Sequence, residues 1–339
     1  MVARFSPRSI QDVAGRRPAS VPKITPLVAE SVFIGVDVSK DWIDIADTQG
    51  RQLRVNNEPL AIAAAFAGPW AACVNLVCEA TGGYERALMR VAGERGLPLR
   101  RIHPNRARAF GHASGCLAKT DVLDARMLAS LAAFTANEPP APLPDEQTQE
   151  LAALVSRLTQ LTDLRQGESC RGQMAATGAI KLSISAVTDV IDAQIRAIQK
   201  AIDALIAKSP QLSANVKILR SCKGVGPKSA QAILAMLPEI GALNRRQVAA
   251  LVGVAPITKA SGSSINRAKI TGGRKALRDI LFMAALTASN HNPEFKTFYD
   301  RLRANGKPHK LALIATLRKL VTTLNAMVKS RQMFKSALT

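Results

Sequence analysis

The sequence predicts an α/β domain followed by a mainly helical half, and three observations support this division. Up to about residue 138, short apolar runs rich in β-branched residues alternate with helical stretches. Helical periodicity dominates the chain from about residue 151 onward. A proline-rich stretch, residues 139–144, lies between the two parts and is typical of a linker.

The charge of the chain points to a polyanionic partner. With 46 Lys and Arg against 25 Asp and Glu, the 339 residues have a net charge of +21, and nucleic acid is the usual partner of such a protein. From residue 259 to the end, 16 basic residues stand against three acidic ones, so this segment is expected to lie against phosphates. Aromatic residues make up 4% of the chain, so base stacking is not expected to dominate. A ribosome-associated or merely basic protein is the alternative at this point.

Several other classes of protein are disfavoured. The five cysteines form no CxxC pair and no zinc spacing, which favours free thiols in a reducing cytosol. The longest apolar run considered, Ile280–Ala288, is too short to span a membrane. Residues 1–30 have no apolar core of a secretory signal and are interpreted as a loose basic leader. A cytoplasmic protein without a membrane partner is expected.

The α/β part is predicted to begin with three strands joined by tight antiparallel turns. These strands are Val32–Val38, Trp42–Asp47 and Gln52–Asn56. A helix from Pro59 to about Phe66, a strand ending at Glu79, a helix over about 84–94 and a strand over 99–103 follow. With a helix beginning near Asp121, this order is that of a ribonuclease-H-like domain. The basic, glycine-punctuated stretch between His103 and Lys119 is predicted to be a flexible loop over the substrate.

Four carboxylates stand where such a domain would bring them together. Asp37 ends the first strand and Glu79 ends the fourth, while Asp121 and Asp124 share one face of a helix. Carboxylate oxygens are the ligands that Mg²⁺ prefers, and Mn²⁺ accepts the same set. The sequence therefore predicts a metal-dependent enzyme that acts on nucleic acid. Gly82 and Gly83 would let a phosphate backbone approach, although a plain strand-to-helix turn explains them equally well.

Two amphipathic helices follow the linker. The first carries leucines at 3, 4, 3 spacing from Leu151 to Leu161, and the second carries a 4, 3 alternation from Ile184 to Leu205. They are interpreted as an antiparallel coiled-coil arm, with two helices of an ordinary bundle as the alternative. A turn between them is expected near three glycines, Gly167, Gly172 and Gly178. The predicted domains are a leader (1–30), the α/β domain (31–138), linker and arm (139–210) and a C-terminal domain (211–339).

The C-terminal domain opens with a stretch that resembles a helix-hairpin-helix element. Gly224 and Gly226, followed by Lys228, would present backbone N–H groups to a phosphate. A Walker loop requires four residues between its first glycine and Gly-Lys, and that spacing is absent, so ATP binding is not predicted. Four further cations are predicted to contact nucleic acid: Lys269, Arg274, Lys275 and Arg278. Judged from local sequence, Ser261 beside Gly262 is first of all a turn residue.

Taken together, the motifs resemble those of DEDD-type transposases of the IS110 insertion-sequence family, whose members are recombinases guided by a bridge RNA. The resemblance runs from Phe33 to about Lys329. It rests on Gly35-Val-Asp37-Val-Ser-Lys, Glu79-Ala-Thr-Gly-Gly-Tyr-Glu85, Lys119-Thr-Asp-Val-Leu-Asp-Ala-Arg126, Gly224-Val-Gly-Pro227, Gly253-Val-Ala-Pro256, Ser261-Gly262, Asn292-Pro293, Phe298-Tyr-Asp-Arg-Leu302 and Arg318-Lys-Leu320.

The resemblance implies a role for each part of the chain. It implies that the four carboxylates form an acidic tetrad and that Ser261 is the nucleophile, with Ser263 and Ser264 as fallback positions. It also implies a resolvase-like domain, a coiled-coil arm and a C-terminal domain that carries the serine. The implied partners are double-stranded DNA at the element ends and at the target, a guide RNA, and further copies of the chain in a dimer to tetramer with composite sites. A covalent DNA–serine ester would conserve the energy of the broken bond, so no nucleotide cofactor would be needed.

Three alternatives remain open on the sequence. A metal-dependent Holliday-junction resolvase or nuclease would keep the acidic residues and use water as the nucleophile. A tyrosine recombinase is disfavoured, because Tyr84 and Tyr299 are the only tyrosines and Tyr84 follows Glu79 too closely. A non-catalytic nucleic-acid-binding protein would tolerate Asp37→Asn without loss of function.

Overall fold

A computed structural model describes residues 32–68, 70–71, 73–115, 121–138, 145–175, 177–258, 260–261, 264–265 and 269–335. The side chains of residues 121, 122, 260, 261, 264 and 265 are outside this description. The described residues fall into two compact units, one within residues 1–141 and the other within 142–339.

The first unit is built on a five-stranded sheet. Its strands are β1 (Val32–Val38), β2 (Trp42–Asp47), β3 (Gln52–Asn56), β4 (Cys73–Glu79) and β5 (Leu99–Ile102), in the order β3-β2-β1-β4-β5. The first three strands form an antiparallel meander, whereas β1–β4 and β4–β5 are parallel pairs. The predicted strands are confirmed, with β5 ending one residue early. A mixed α/β domain is therefore established for this part of the chain.

In the described residues of this unit, four helices accompany the sheet: α1 (Pro59–Ala65), α2 (Arg86–Arg95), α3 (Pro104–Ala113) and α4 (Asp121–Phe134). The prediction of a flexible loop after His103 is wrong for residues 104–113, which form α3. His103 caps this helix, because its Nδ1 accepts a hydrogen bond from the backbone N–H of Asn105 at 3.1 Å. Pro104 takes the first helical position, where a missing N–H costs nothing, and Ala107 and Gly111 are buried. Of the rest of the predicted loop, residues 114 and 115 form a turn and residues 116–118 lie outside the described residues.

Two long helices, α5 (Glu146–Gln173) and α6 (Gly178–Lys208), open the second unit. They run antiparallel, since Arg165 pairs with Asp192 while Gly172 lies beside Ile184 nearer the turn. Gly167 and Gly172 lie inside α5, so the prediction that they form the turn is wrong. The reversal lies between the end of α5 and Gly178, and packing along the pair offsets the weak helix propensity of the two internal glycines.

The base of this helix pair belongs to the C-terminal core. Leu151 and Val155 of α5 and Ile202 of α6 are buried in that core. Towards the far end of α6, by contrast, Leu182 and Val190 are 74% and 63% exposed. The pair therefore projects from the C-terminal core instead of forming an independent domain.

The described part of the second unit contains six further helices: α7 (Pro210–Arg220), α8 (Pro227–Met236), α9 (Arg245–Val252), α10 (Lys275–His291), α11 (Pro293–Ala304) and α12 (His309–Ser330). Between α9 and α10 lie four two-residue strands, β6 (Pro256–Ile257), β7 (Ala260–Ser261), β8 (Ser264–Ile265) and β9 (Lys269–Ile270). β6 pairs with β9 and β7 pairs with β8, both antiparallel. The segment between Gly253 and Gly273, called the serine hairpin below, is thus built on two short antiparallel ladders.

Helix α12 is the one described helix long and apolar enough, by length and composition, to cross a membrane. Half of its most apolar window is buried in the protein, where Leu313, Leu317 and Leu320 are fully enclosed in the core. The sequence did not predict an apolar segment of this length, because Arg318 and Lys319 interrupt it. Its apolar face is accounted for by core packing.

Candidate functional site

Asp37 and Glu79 lie side by side at one edge of the sheet. In the parallel pair of β1 and β4, Gly35 is opposite Val77 and Val36 is opposite Cys78. Asp37 and Glu79 come next along the two strands. Because residues two apart in a strand share a face, Asp37 follows Gly35 on the same side of the sheet, as Glu79 follows Val77. Two carboxylates thus meet at the carboxyl ends of neighbouring strands.

Gly35 brings the helix with the other two carboxylates onto this face. A Cβ atom at Gly35 would lie 2.1 Å from the carbonyl oxygen of Ala125 and 2.2 Å from the backbone nitrogen of Ala129. Only glycine permits such contact between a strand and the backbone of α4. Asp124 immediately precedes Ala125, so its backbone is held near the strand end that carries Asp37. Asp121 lies one turn earlier, in a helical position whose side chain is outside the description.

The donors at this edge are chemically suited to a divalent metal ion, since carboxylate oxygens are hard ligands. Among the residues whose side chains the structure describes, no group of three His, Cys, Asp or Glu is arranged to hold a metal ion. The side chain of Asp121, the fourth predicted member of the tetrad, is outside the description. The backbones of β1, β4 and α4 thus bring the carboxylate positions to one edge of the sheet, whereas the described side chains of Asp37, Glu79 and Asp124 do not form such a group.

A fifth carboxylate, which the sequence reasoning missed, lies next to Asp37. Asp44 is the direct antiparallel partner of Asp37 in β2, so both side chains are on one face. Asp44 is buried and accepts two hydrogen bonds from the Arg54 guanidinium, at 2.9 and 2.8 Å. This bidentate pair neutralises the charge of Asp44. The predicted antiparallel turn between β1 and β2, together with the alternation of side chains along a strand, could have placed Asp44 opposite Asp37 from the sequence.

The turn after Glu79 is organised by a buried carboxylate, Glu85. It accepts hydrogen bonds from the backbone N–H of Gly83 at 2.8 Å and from the hydroxyl of Thr81 at 2.9 Å. Arg101 adds an ion pair at 3.2 Å. Burial alone would raise the pKa of Glu85, but its backbone, Gly83, Thr81 and Arg101 outweigh that effect and lower the pKa from its ordinary value. Glu85 is therefore held as an anion that shapes the turn beside Glu79.

Two further residues define the surroundings of the acidic edge. The side-chain amide of Asn57 donates to the carbonyl oxygens of Ser39 and Tyr84, both at 2.9 Å, and so links the loop after β1 to the turn after β4. Burial, reinforced by the charge of Glu85, raises the pKa of the Cys78 thiol to about 12. Cys78 is therefore a neutral core residue behind the carboxylates.

Ser261 lies in the serine hairpin of the second unit. Its backbone pairs with that of Ser264 across β7 and β8. The side chains of both serines are outside the description, as are residues 262 and 263, so the fallback position Ser263 is not described. The acidic residues and Ser261 belong to different compact units.

The predicted helix-hairpin-helix turn connects α7 and α8. Gly224 is in the left-handed region (φ 109°), and a Cβ atom there would lie 2.6 Å from Cβ of Ala288, so this glycine serves packing against α10. Gly226 precedes α8 without any side-chain cap, and both Gly226 and Lys228 are exposed. The first N–H groups of α8 thus face outward beside a cation, an arrangement that suits a phosphate.

The four predicted cations near the serine hairpin have different surroundings. Lys269 is exposed, and Lys275 is exposed while pairing with Asp279 at 2.6 Å. Arg274 donates to the Glu239 carboxylate at 2.6 and 2.7 Å and to the carbonyl oxygen of Met236 at 2.8 Å. Arg278 donates to the carbonyl oxygens of Gly272 at 2.6 Å and Gly253 at 3.2 Å. Both lysines are exposed, and Lys275 pairs with the exposed Asp279, whereas both arginines are partly buried and bind protein groups.

Comparisons with known proteins match both units to transposases. Residues 34–177 match the IS110-type DEDD family model described as "Transposase", and residues 216–300 match the model described as "Transposase IS116/IS110/IS902 family". The first match extends from within β1 to just beyond α5, and the second covers the predicted helix-hairpin-helix region and the serine hairpin.

Individual relatives carry related names. The chain is 31% identical over 167 residues to an uncharacterised 43.6 kDa protein of the insertion element IS110 from Streptomyces coelicolor, a match that covers 48% of this chain but only 40% of that protein. It is 26% identical over 325 residues to the pilin gene-inverting protein of Moraxella lacunata, covering 89% of this chain and 97% of that one. The Moraxella bovis protein of the same name is 28% identical over 273 residues, covering 77% of this chain and 82% of that one. Two parts of the chain, residues 34–177 and 216–300, are therefore similar to transposase domains of the IS110/IS116/IS902 family.

Proposed function

We propose that this protein is a DNA transposase or recombinase that cuts and rejoins DNA by phosphoryl transfer. One observation carries the proposal: the backbones of Asp37, Glu79 and Asp124 lie at one edge of a mixed sheet, where β1 pairs with β4 and Gly35 contacts α4. The two family matches support the same activity. The names of the Moraxella relatives, which describe inversion of a gene, support recombination of DNA over simple degradation.

In this proposal the acidic tetrad of Asp37, Glu79, Asp121 and Asp124 holds Mg²⁺ or Mn²⁺. When bound, such an ion stabilises the charge that develops on phosphate oxygens during an in-line displacement. The pairing of Asp44 with Arg54 favours this role for Asp37, because it removes one negative charge from the same face. The buried network of Glu85 fixes the turn beside Glu79 and so limits the freedom of that carboxylate.

Ser261 acts in this proposal as the nucleophile. Its hydroxyl loses a proton to a base, Oγ forms a bond to phosphorus, and the bond from phosphorus to a sugar oxygen breaks. The released sugar oxygen takes up a proton, so that the strand is held as a phosphoserine ester. Attack by a sugar hydroxyl on that ester reverses the sequence and joins a new strand without a nucleotide cofactor. The backbone on either side of Ser261 forms an antiparallel hairpin, β7 with β8. This arrangement supports the proposal that Ser261 can reach a DNA phosphate.

The nucleic-acid partners proposed are double-stranded DNA at the element ends and at the target, together with a guide RNA. The open N-terminus of α8 with Gly226 and Lys228, and the exposed Lys269 and Lys275, supply groups suited to phosphates. We also propose a homo-oligomer of two to four copies, acting in the cytoplasm. The exposed apolar residues Leu182 and Val190 on the projecting helix pair favour contact with another copy.

The proposal is tested by trapping the covalent intermediate. Full-length protein is incubated with a nicked suicide duplex carrying the element end, with and without RNA transcribed from the flank of its gene, and the digested adduct is mapped by mass spectrometry. We expect a phosphodiester on Ser261, lost in Ser261→Ala and absent in Asp37→Asn. Ser263→Ala and Ser264→Ala are the matched controls. An adduct on either of those serines would move the nucleophile within the hairpin and keep the mechanism.

A Holliday-junction resolvase or nuclease that uses water is the second candidate. The ribonuclease-H-like order of the sheet and its carboxylates would serve that reaction equally well. Products with free phosphate ends, formed at the same rate by Ser261→Ala, would show that the nucleophile is water and would overturn the serine mechanism.

A further inference from the structure

The serine hairpin is held by its neck, where its two ends meet the helical core. Its basal ladder consists of only two residue pairs, Pro256 with Ile270 and Ile257 with Lys269. Pro256 has no N–H to donate, and a two-stranded ladder of this length is marginally stable in water. Among the described residues, the contacts that orient the hairpin lie at its neck.

The first such contact joins two glycine backbones. Gly253 (φ 77°) ends α9 and Gly273 (φ 69°) precedes α10, and both are in the left-handed region. A Cβ atom at Gly253 would lie 2.2 Å from the carbonyl oxygen of Gly272, and one at Gly273 would lie 2.3 Å from the nitrogen of Gly253. The chain that enters the hairpin and the chain that leaves it are thus in direct backbone contact.

The second contact is made by two arginines of the basic stretch. Nη1 of Arg278 donates to the carbonyl oxygens of Gly272 and Gly253, one on each side of the neck. Arg274 fixes the exit of the hairpin, because its backbone N–H donates to Leu251 at 2.8 Å and its guanidinium binds the Glu239 carboxylate. Both arginine side chains are partly buried. Each guanidinium group thus connects separate segments of the backbone through hydrogen bonds.

We propose that Arg278, supported by Arg274, is a positioning residue for Ser261, and that neither guanidinium binds a DNA phosphate. This inference rests on the proposed serine mechanism. Arg278 closes the neck of the hairpin by bridging Gly253 and Gly272, and it thereby fixes the direction in which the hairpin carries Ser261 towards the substrate. The cations that bind phosphate are then the solvent-facing lysines of the same stretch, Lys269 and Lys275.

The experiment compares Arg278→Gln with Lys275→Gln, two variants that each remove one charge from the first turn of α10. For each, the affinity for a duplex carrying the element end is measured against salt, and single-turnover adduct formation is measured at saturating duplex. Loss of one phosphate contact lowers the slope of log K against log salt by about 0.9. We expect that decrease for Lys275→Gln only.

For Arg278→Gln we expect an unchanged salt slope and a rate constant of adduct formation lower by roughly 100-fold, which is the cost of a displacement of about 1 Å at a reacting group. Arg278→Lys keeps the charge but replaces the planar guanidinium, so its rate constant should also fall. A role in folding alone would lower the amplitude of adduct formation and leave the rate constant of the active fraction unchanged. Either that result or a decrease of the slope by about 0.9 with an unchanged rate constant would overturn the inference.

Glu239→Gln supplies a second variant in case Arg278 variants do not fold. This variant weakens the ion pair that positions Arg274 without removing a cation. We therefore expect a lower rate constant of adduct formation and an unchanged slope of log K against log salt. A steeper slope with an unchanged rate constant would mean that the released Arg274 binds phosphate and does not position the hairpin. Absence of any adduct in the unaltered protein would instead overturn the serine mechanism itself, and the two failures are thus distinguishable.

Discussion

Gly35 and Ala125 are in backbone contact across the interface of strand β1 and helix α4. The 2.1 Å that would separate a Cβ atom at Gly35 from the Ala125 carbonyl oxygen is far below any real contact distance. This contact sets the distance between Asp37, two residues further along the strand, and Asp124, the residue before Ala125. The spacing of the acidic residues therefore depends on a residue that has no functional group.

We predict that Gly35→Ala separates α4 from β1 and abolishes DNA cleavage. The added methyl group must displace helix backbone, which costs about 1–3 kcal/mol in the free energy of unfolding. Urea unfolding and a cleavage assay measure the two effects. Gly93→Ala in α2 is the matched control, because a Cβ atom there meets nothing within 4 Å and alanine improves helix propensity. Full cleavage by a folded Gly35→Ala protein would contradict the dependence of the site on this contact.

Removal of either strand carboxylate is expected to abolish cleavage. Asp37→Asn and Glu79→Gln keep shape but replace an anionic oxygen by an amide, which is a poor ligand for Mg²⁺. Chelation by EDTA should have the same effect on the unaltered protein, with activity restored by Mg²⁺ or Mn²⁺. Glu94→Gln, which removes an exposed carboxylate from α2, should leave cleavage unchanged. Undiminished cleavage in EDTA would exclude a metal-dependent reaction.

Affinity for nucleic acid should fall steeply with salt and should survive loss of the acidic residues. Counterions released from phosphates produce such a dependence, and the segment from residue 259 onward supplies most of the excess cations. Lys228→Gln should lower the slope of log K against log salt by about 0.9 if α8 receives a phosphate at its N-terminus. Fluorescence anisotropy over a range of salt concentrations gives these slopes. A flat plot would rule out phosphate contacts as the source of affinity.

The buried Glu85 should make stability depend on pH in the acidic range. Its pKa in the folded protein is lower than the ordinary value of 4.5, so its charge stabilises the fold above that value. This stabilisation should decline as the pH falls below 4.5 towards the lowered pKa. Glu85→Gln should destabilise the protein by about 1–3 kcal/mol at neutral pH, because its hydrogen-bond donors lose a charged acceptor. The difference from the unaltered protein should shrink in acid, as measured by urea unfolding at each pH. A difference that is constant from neutral to strongly acidic pH would contradict this role.

The strands were predictable because their apolar runs are short and separated by clear turns, and the placement of Asp37 and Glu79 at strand ends followed directly. Helix α3 was missed because its cap is a histidine ring, whereas the usual signal at that position is Ser, Thr, Asp or Asn. The prediction of a turn at Gly167 and Gly172 was wrong because tertiary packing of α5 outweighs the low helix propensity of these two residues.

The cations show a different limit of sequence reasoning. Lys275 and Arg278 are three residues apart in one basic stretch, yet Lys275 is exposed in an ion pair with Asp279 while Arg278 binds backbone carbonyl oxygens. A positive charge in a sequence does not reveal whether phosphate or a carbonyl group receives it. That distinction depends on Gly253 and Gly272, which only the folded chain brings within reach of Arg278.

The contact between Gly253 and Gly273 has a consequence for how this region can be altered. The described contacts that fasten the serine hairpin at its neck are made by glycine backbones, Arg274 and Arg278, all of which lie outside residues 256–270. The segment between these residues can therefore change in sequence while its two ends keep the same contacts with the helical core. It should accept insertions or the corresponding segment of a relative while the helical core remains unchanged, and chimaeras joined at these two glycines are a natural way to exchange reaction properties between related proteins.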